Sequence, residues 1–291
     1  MPAPSIITVD VEDYFQVEAF AGTVDRATWQ DYPSRVEHNT ERILHIFDDL
    51  NVKATFFILG WVAEHYPALV RRIREHGHEV ACHSYWHRLV YKLTPDDFRE
   101  DTLRAKHAIE QAAGVAIYGY RAPSFSITRQ STWALEILAQ LGFVYDSSIF
   151  PVRHDLYGYP DAHRGPFRVE TARGAIVEFP MATFRLPAGP NLPVAGGGYL
   201  RIFPRWYTRA GVRSAWREGL PVVSYIHSWE LDAEQPRIHA PLKSRLRHYT
   251  NLRKTQRRLR ELLALGEFTS FRDSGILHFR STSTLAEAVS R

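Results

Sequence analysis

Four short apolar runs in this chain each stop at charged or imidazole side chains, and that pattern restricts the fold more than any other feature. Ser5-Ile6-Ile7-Thr8-Val9-Asp10-Val11-Glu12-Asp13 ends in three carboxylates within four residues. His78-Glu79-Val80-Ala81-Cys82 leads into His83 and, four residues later, His87. Ile117-Tyr118-Gly119-Tyr120 leads into Arg121 and a rigid Pro123, and Val222-Val223-Ser224-Tyr225-Ile226 into His227. Runs of this length bounded by turn signals read as buried strands. Reactive side chains gathered at the C-terminal ends of several strands are the arrangement of a parallel α/β barrel.

The stretches between these runs carry helix signals. Residues 34–50, 67–76 (closed by Gly77), 94–113 (opened by Thr94-Pro95 and closed by Gly114), 130–141 and 204–218 all read as helices. With further strands at 53–59 and 143–146, the repeated βα units predict a distorted (β/α) barrel with about seven parallel strands. We expect a single domain over 1–280 and a tail at 281–291. Within the domain we expect an insertion at about 151–200 and a C-terminal helical extension at about 242–273, its helix running unbroken from about 244 to 265. The insertion is rich in Pro, Gly, His and aromatics, as loops that shape a substrate groove are. Inside it, 176–180 reads as a strand. Gly196-Gly197-Gly198 reads as a tight turn or as backbone held close to a sugar, since no phosphate-binding helix signal follows.

The residues at the strand ends suit a hydrolytic metal site. Two imidazoles four apart converge on one cation on a helical turn, or where a strand end curls into a loop. Neutral imidazole is the commonest protein ligand for zinc and related metals. Asp10, Glu12 and Asp13 repel one another unless a cation or an arginine compensates them. An acidic first helical turn would be the simpler reading, but Tyr14-Phe15 and Gly22 follow at once. Taken alone, Arg121 could snorkel to solvent and His227 could be a core histidine; together the four strand ends supply carboxylates, imidazoles and one guanidinium. Cys82 adjoins His83, but strand alternation turns it toward the core.

Composition narrows the class. Hydrophobic content of 45% and charged content of 23% are those of an ordinary globular protein, and one cysteine rules out an intramolecular disulfide. No basic n-region opens the chain and no apolar stretch is long enough for a transmembrane segment, so the expected location is cytoplasmic. The basic residues of 243–260 read as the solvated face of a helix; no nucleic-acid partner is expected at a net charge of +4.

The ordered set Thr8-Val9-Asp10-Val11-Glu12-Asp13, His83-x-x-x-His87, Arg121-Ala122-Pro123, Asp146-Ser147-Ser148 and Ile226-His227 resembles the five motifs of the polysaccharide deacetylase family. These are metal-dependent carbohydrate esterases and include the rhizobial chitooligosaccharide deacetylase; the resemblance runs from about residue 5 to 230. Val9 to Phe15, Pro193 to Arg201 and Tyr225 to Glu230 are similar to the subfamily encoded with exopolysaccharide and exosortase loci. The resemblance implies an N-deacetylase acting on N-acetylhexosamine residues of an exopolysaccharide or its precursor. It implies a divalent ion, Zn2+ first with Co2+, Ni2+ or Mn2+ also admitted, held by His83, His87 and a carboxylate. Asp10 would be the base, paired with Arg121, and His227 the acid. Asp146 would orient His227 or support its loop, and a backbone N–H near Ser124 would assist the oxyanion.

One departure stands out: the family pattern has two adjacent aspartates, whereas Val11 follows Asp10 here. The metal carboxylate is then Glu12, which shares strand parity with Asp10, or Asp13, if the chain bends after the strand. Two rival functions use the same scaffold. One is an allantoinase-like hydrolase of cyclic amides; the other is a barrel that binds carbohydrate without catalysis.

Overall fold

A computed structural model describes residues 5–186, 189–194 and 196–276; the expected tail at 281–291 lies outside the described residues. Along the chain come β1 (Ser5–Val11), α1 (Val36–Asp49), β2 (Thr55–Ile58), α2 (Gly60–His65), α3 (Pro67–Glu75), β3 (Glu79–Cys82), α4 (Pro95–Ala113), β4 (Gly119–Tyr120), α5 (Trp133–Gln140) and β5 (Tyr145–Asp146). They are followed by β6 (Phe167–Thr171), β7 (Gly174–Glu178), β8 (Thr183–Arg185), β9 (Asn191–Pro193), α6 (Gly197–Ile202), α7 (Arg205–Arg217), β10 (Val223–His227), α8 (Leu242–Tyr249), α9 (Thr255–Leu263) and β11 (Phe268–Thr269).

Seven strands pair in parallel in the order β10-β1-β2-β3-β4-β5-β7, with β6 antiparallel beyond β7 and β11 beside β1. The sheet curls into the expected distorted barrel. At its seam the Ala182 N–H, just past β7, donates to the Val223 carbonyl at 3.2 Å. Strand β1 is central and buried at every position, which is why it reads as a continuous apolar run. Helix α4 begins as its sequence predicts: Thr94 and Asp97 cap each other reciprocally, Pro95 takes the first turn and Gly114 closes the helix in the left-handed region.

One expectation in the second half is corrected. The unbroken helix at 244–265 is two helices, α8 and α9, separated by an extended Thr250 and by Asn251 at φ 59°. Arg201 causes the break: its guanidinium takes the carbonyls of Arg247, His248 and Thr250, and Asn251 Nδ2 donates back to the Arg201 carbonyl. The glycine triplet, expected as a tight turn or a close backbone approach, leads into α6 packed close on β10. Gly196 sits at φ 60°, and a Cβ there would lie 1.7 Å from the Tyr225 carbonyl oxygen of β10. Only glycine fits that crossing. Among the described residues, no helix is long and apolar enough to cross a membrane.

Candidate active site

Alternation along β1 puts Thr8, Asp10 and Glu12 on one side, facing the barrel interior, and Val9 and Val11 on the other. The inserted Val11 therefore places the second carboxylate level with the first. Asp10 is the register partner of His227 on the neighbouring β10, so base and acid candidates start side by side. Arg121, fully buried just past β4, reaches Asp10 Oδ1 at 2.8 Å and Thr8 Oγ1 at 2.6 Å through Nη1, and the Ser147 carbonyl at 3.1 Å through Nε. Its guanidinium lies over the Phe57 ring at 4.2 Å. A buried guanidinium satisfied this way leaves Asp10 one free oxygen, Oδ2, which lies 3.9 Å from His227 Nε2.

His83 and His87 converge through a curled loop. Ser84 and His87 adopt φ of 63° and 50°, and the His87 N–H closes onto Ser84 Oγ. Arg26 clamps the same loop through the Trp86 and His87 carbonyls, at 2.6 and 3.0 Å. The Nδ1 atom of His83 donates to the Arg121 carbonyl at 2.8 Å, which turns its Nε2 toward Glu12 and His87. His87 Nε2 is 2.9 Å from Glu12 Oε2, and one ligand atom each from Glu12, His83 and His87 lie within 4.8 Å of one another.

These residues fit a divalent ion. All three are buried, Glu12 Oε2 faces no donor other than His87, and two imidazoles with one carboxylate form a donor set that zinc and its neighbours accept. Burial holds the His83 imidazole neutral, lowering it to about 4, as a ligand requires. Burial would raise the Glu12 carboxyl, but His87, His227 and His83 hold it well below the usual carboxylate range.

Asp13 is turned away from the three ligand candidates. Its Oδ2 accepts Ser34 Oγ and the N–H groups of Arg35 and Val36, capping the start of α1, while Oδ1 accepts the Tyr14 N–H. Asp146 is likewise away from His227. It accepts from Ser148 Oγ at 2.6 Å, and Ser148 Oγ in turn accepts the Ala122 N–H, so Asp146 braces the loop that carries Arg121. Ser124 lines the cavity in a left-handed conformation at φ 51°.

The partner of His227 is one that the sequence reading missed. Glu230 Oε1 receives His227 Nδ1 at 2.5 Å and the His227 N–H at 3.1 Å, and its other oxygen takes Arg201 Nε at 2.6 Å. Burial works against the ionised Glu230, but Arg201 and His227 keep its carboxyl down at about 2. Burial also opposes charge on His227, yet Glu230, Glu12 and Asp10 push it up to about 9. Trp229 stacks on the His227 ring at 5.2 Å. The three-residue spacing from His227 to Glu230 was the available signal; Arg201 had none, because nothing in the sequence brings α6 under β10. The site opens into a cavity of about 320 Å³ walled by Phe125, Tyr157, Tyr199, Tyr225 and Trp229, so the insertion supplies part of its wall.

A parallel barrel with a buried His-His-Glu cluster beside an Asp–Arg pair is a scaffold suited to metal-assisted hydrolysis, and known proteins resemble it in sequence and fold. Residues 23–145 match the polysaccharide deacetylase family, and residues 147–275 match a domain of unknown function, DUF3473. The chain is 35% identical over 123 residues to a peptidoglycan-N-acetylglucosamine deacetylase of Bacillus cereus, a match covering 40% of this chain and 44% of that protein. Over residues 23–145 the chain is similar to the polysaccharide deacetylase family. It spans less than half the length of the curated relatives it matches. Two solved structures share the fold. One is a Mycobacterium smegmatis protein provisionally assigned as a polysaccharide deacetylase (TM-score 0.58, 23% identity, 90% of this chain and 84% of that one). The other is the Puue allantoinase (TM-score 0.60, 14% identity, 94% and 88%). Asp10 and Glu12 lie ahead of the matched deacetylase segment, His83, His87 and Arg121 within it, and His227 in the segment of unknown function.

Proposed function

We propose that the protein is a metal-dependent N-deacetylase that removes acetyl groups from N-acetylhexosamine residues of an exopolysaccharide or its precursor. The observation that carries this reading is the placement of a metal-capable Glu12–His83–His87 cluster between two proton-handling groups, Asp10 and His227, at the floor of one aromatic-walled cavity. Glu12, His83 and His87 would hold the ion, Zn2+ in the first instance, which when bound supplies Lewis acidity toward water and the acetyl carbonyl. Asp10 keeps Oδ2 free to take the proton of the attacking water, with Oδ1 fixed by Arg121. His227 enters protonated and delivers its Nε2 proton to the departing amine, so that acetate and a free amino sugar are the products. Glu230 fixes the His227 ring by holding Nδ1, which aims Nε2 at the cavity. The aromatic walls suit the faces of sugar rings better than a small cyclic ureide, and they support the polymer reading over the allantoinase-like one. The complete base, acid and ligand set speaks against a purely binding role.

The test is acetate release from N-acetylglucosamine oligomers by the zinc-loaded protein, with ring opening of allantoin assayed alongside. Asp10→Asn should lower turnover by roughly 10²–10⁴-fold while the protein still retains zinc. Near wild-type turnover in Asp10→Asn, or activity on allantoin alone, would refute the proposal.

A further inference from the structure

The surface between α7 and α9 carries a second recess, a groove of about 710 Å³ on the far side of α6 from the cavity just described. Leu200 of α6 lines the groove, whereas Tyr199, Arg201 and Ile202 line the cavity, so the two are neighbours across a single short helix. Arg205, Arg209 and Arg213 follow one another at intervals of four along α7 and all line the groove. Like charges at this spacing destabilise a helix, so the ladder is a local cost that the fold offsets only at Arg205. Arg205 faces Glu261 across the groove; among the described residues neither Arg209 nor Arg213 makes an ion pair. Arg258, the fourth cation of the lining, is engaged with the carbonyls of Leu200 and Phe203. Beside the ladder stands Trp206, its indole 69% exposed.

An exposed indole next to two unpaired guanidinium forks, Arg209 and Arg213, matches a chain of sugar rings bearing anionic groups. The ring face takes a sugar face, and planar forks take carboxylates in pairs of hydrogen bonds. A bilayer would demand a protruding apolar face, but here the arginines and the indole line a concavity. We propose that the α7–α9 groove is a second saccharide subsite that holds an acidic stretch of the glycan, with Trp206 as stacking platform and Arg209 and Arg213 as anion ligands. That the bound chain is the polymer entering the catalytic cavity rests on the deacetylase reading. The groove lies wholly within the segment that matches a domain of unknown function and gives it a role besides supplying His227.

The test measures binding directly, so it does not depend on turnover. Calorimetric titration of the full chain with hexagalacturonate, at low and high salt, is compared with Trp206→Ala and with an Arg209→Ala/Arg213→Ala double variant. All three substituted side chains are exposed, and thermal unfolding verifies that each variant folds. Wild type should bind hexagalacturonate with salt-sensitive affinity, and each variant should bind at least tenfold more weakly. Chitohexaose binding, which uses the catalytic cavity, should be unchanged in all three proteins. Absence of hexagalacturonate binding to wild type, or equal binding by the double variant, overturns the proposal. So does retention of the protein on phosphatidylglycerol vesicles through Arg209 and Arg213 without hexagalacturonate binding. Loss of deacetylation with binding intact would instead count against the catalytic reading alone.

Discussion

Replacing Glu178 by Gln should stabilise this protein at neutral pH and do nothing for it in acid. Glu178 of β7 and Asp146 of β5 are register partners, and both are fully buried. Glu178 Oε1 accepts the Ile149 N–H at 2.9 Å, but Oε2 has no partner as long as it lacks a proton. With a proton on Oε2 it can donate to Asp146. Burial raises both carboxyls, and the neighbouring Asp146 charge drives Glu178 further up, well above its ordinary 4.5. The folded state thus keeps a proton that the unfolded chain releases above about pH 4.5, so stability is lost as pH rises from there toward the folded value. Holding that proton costs about 1.4 kcal/mol for each pH unit between the unfolded titration and the folded one. In Glu178→Gln the amide NH2 donates to Asp146 and the amide oxygen still accepts from Ile149, with no proton to hold. Thermal unfolding of both proteins from pH 4 to pH 8 should show the variant's melting point rising relative to wild type steadily above pH 4.5, by roughly 2–4 °C for each kcal/mol gained. A difference that is flat with pH, or a loss at pH 7, would refute the shared-proton account.

Three further outcomes follow from the geometry. His83→Ala and His87→Ala should each lose bound zinc and activity together, whereas Cys82→Ala should keep zinc and cost only about 1 kcal/mol of packing; zinc-to-protein ratios after dialysis decide this. Glu230→Ala leaves Arg201 buried without its carboxylate and should destabilise by about 3–5 kcal/mol, with turnover falling even in the fraction that stays folded, as combined urea unfolding and active-site titration would show. Gly196→Ala drives a methyl into the Tyr225 carbonyl and should lower the melting point and disturb the cavity wall, visible as a changed KM.

The first half of the barrel was legible because its signals are local. The apolar run of β1, the cap and glycine of α4 and the histidine spacing all lie within a few residues of what they determine. Parity along β1 made Glu12 a candidate, but it could not exclude Asp13, because the three donors that claim Asp13 arrive with Ser34, Arg35 and Val36, some twenty residues later. For Asp146 the sequence left open whether it orients His227 or supports the loop, because the Ser148 link to Ala122 that decides for the loop crosses from β5 to the segment after β4. The broken helix after Tyr249 was invisible for the same reason. Its leucine pattern runs on, and only an arginine from α6, almost fifty residues upstream, captures the carbonyls that would have continued it.

Arg201 has a consequence for how this chain can be altered over evolutionary time. One guanidinium is hydrogen-bonded both to the carboxylate behind His227 and to the backbone ending α8. Residues 197–202, 227–230 and 247–251 are therefore a single inherited unit. A recombination breakpoint falling between any two of them would graft a well-formed barrel onto a histidine with nothing to aim it. A breakpoint near residue 146, where the deacetylase match gives way to the segment of unknown function, would leave this unit whole but would still part Asp10 and Arg121 from His227 and Ser147, so the two halves are constrained to change together.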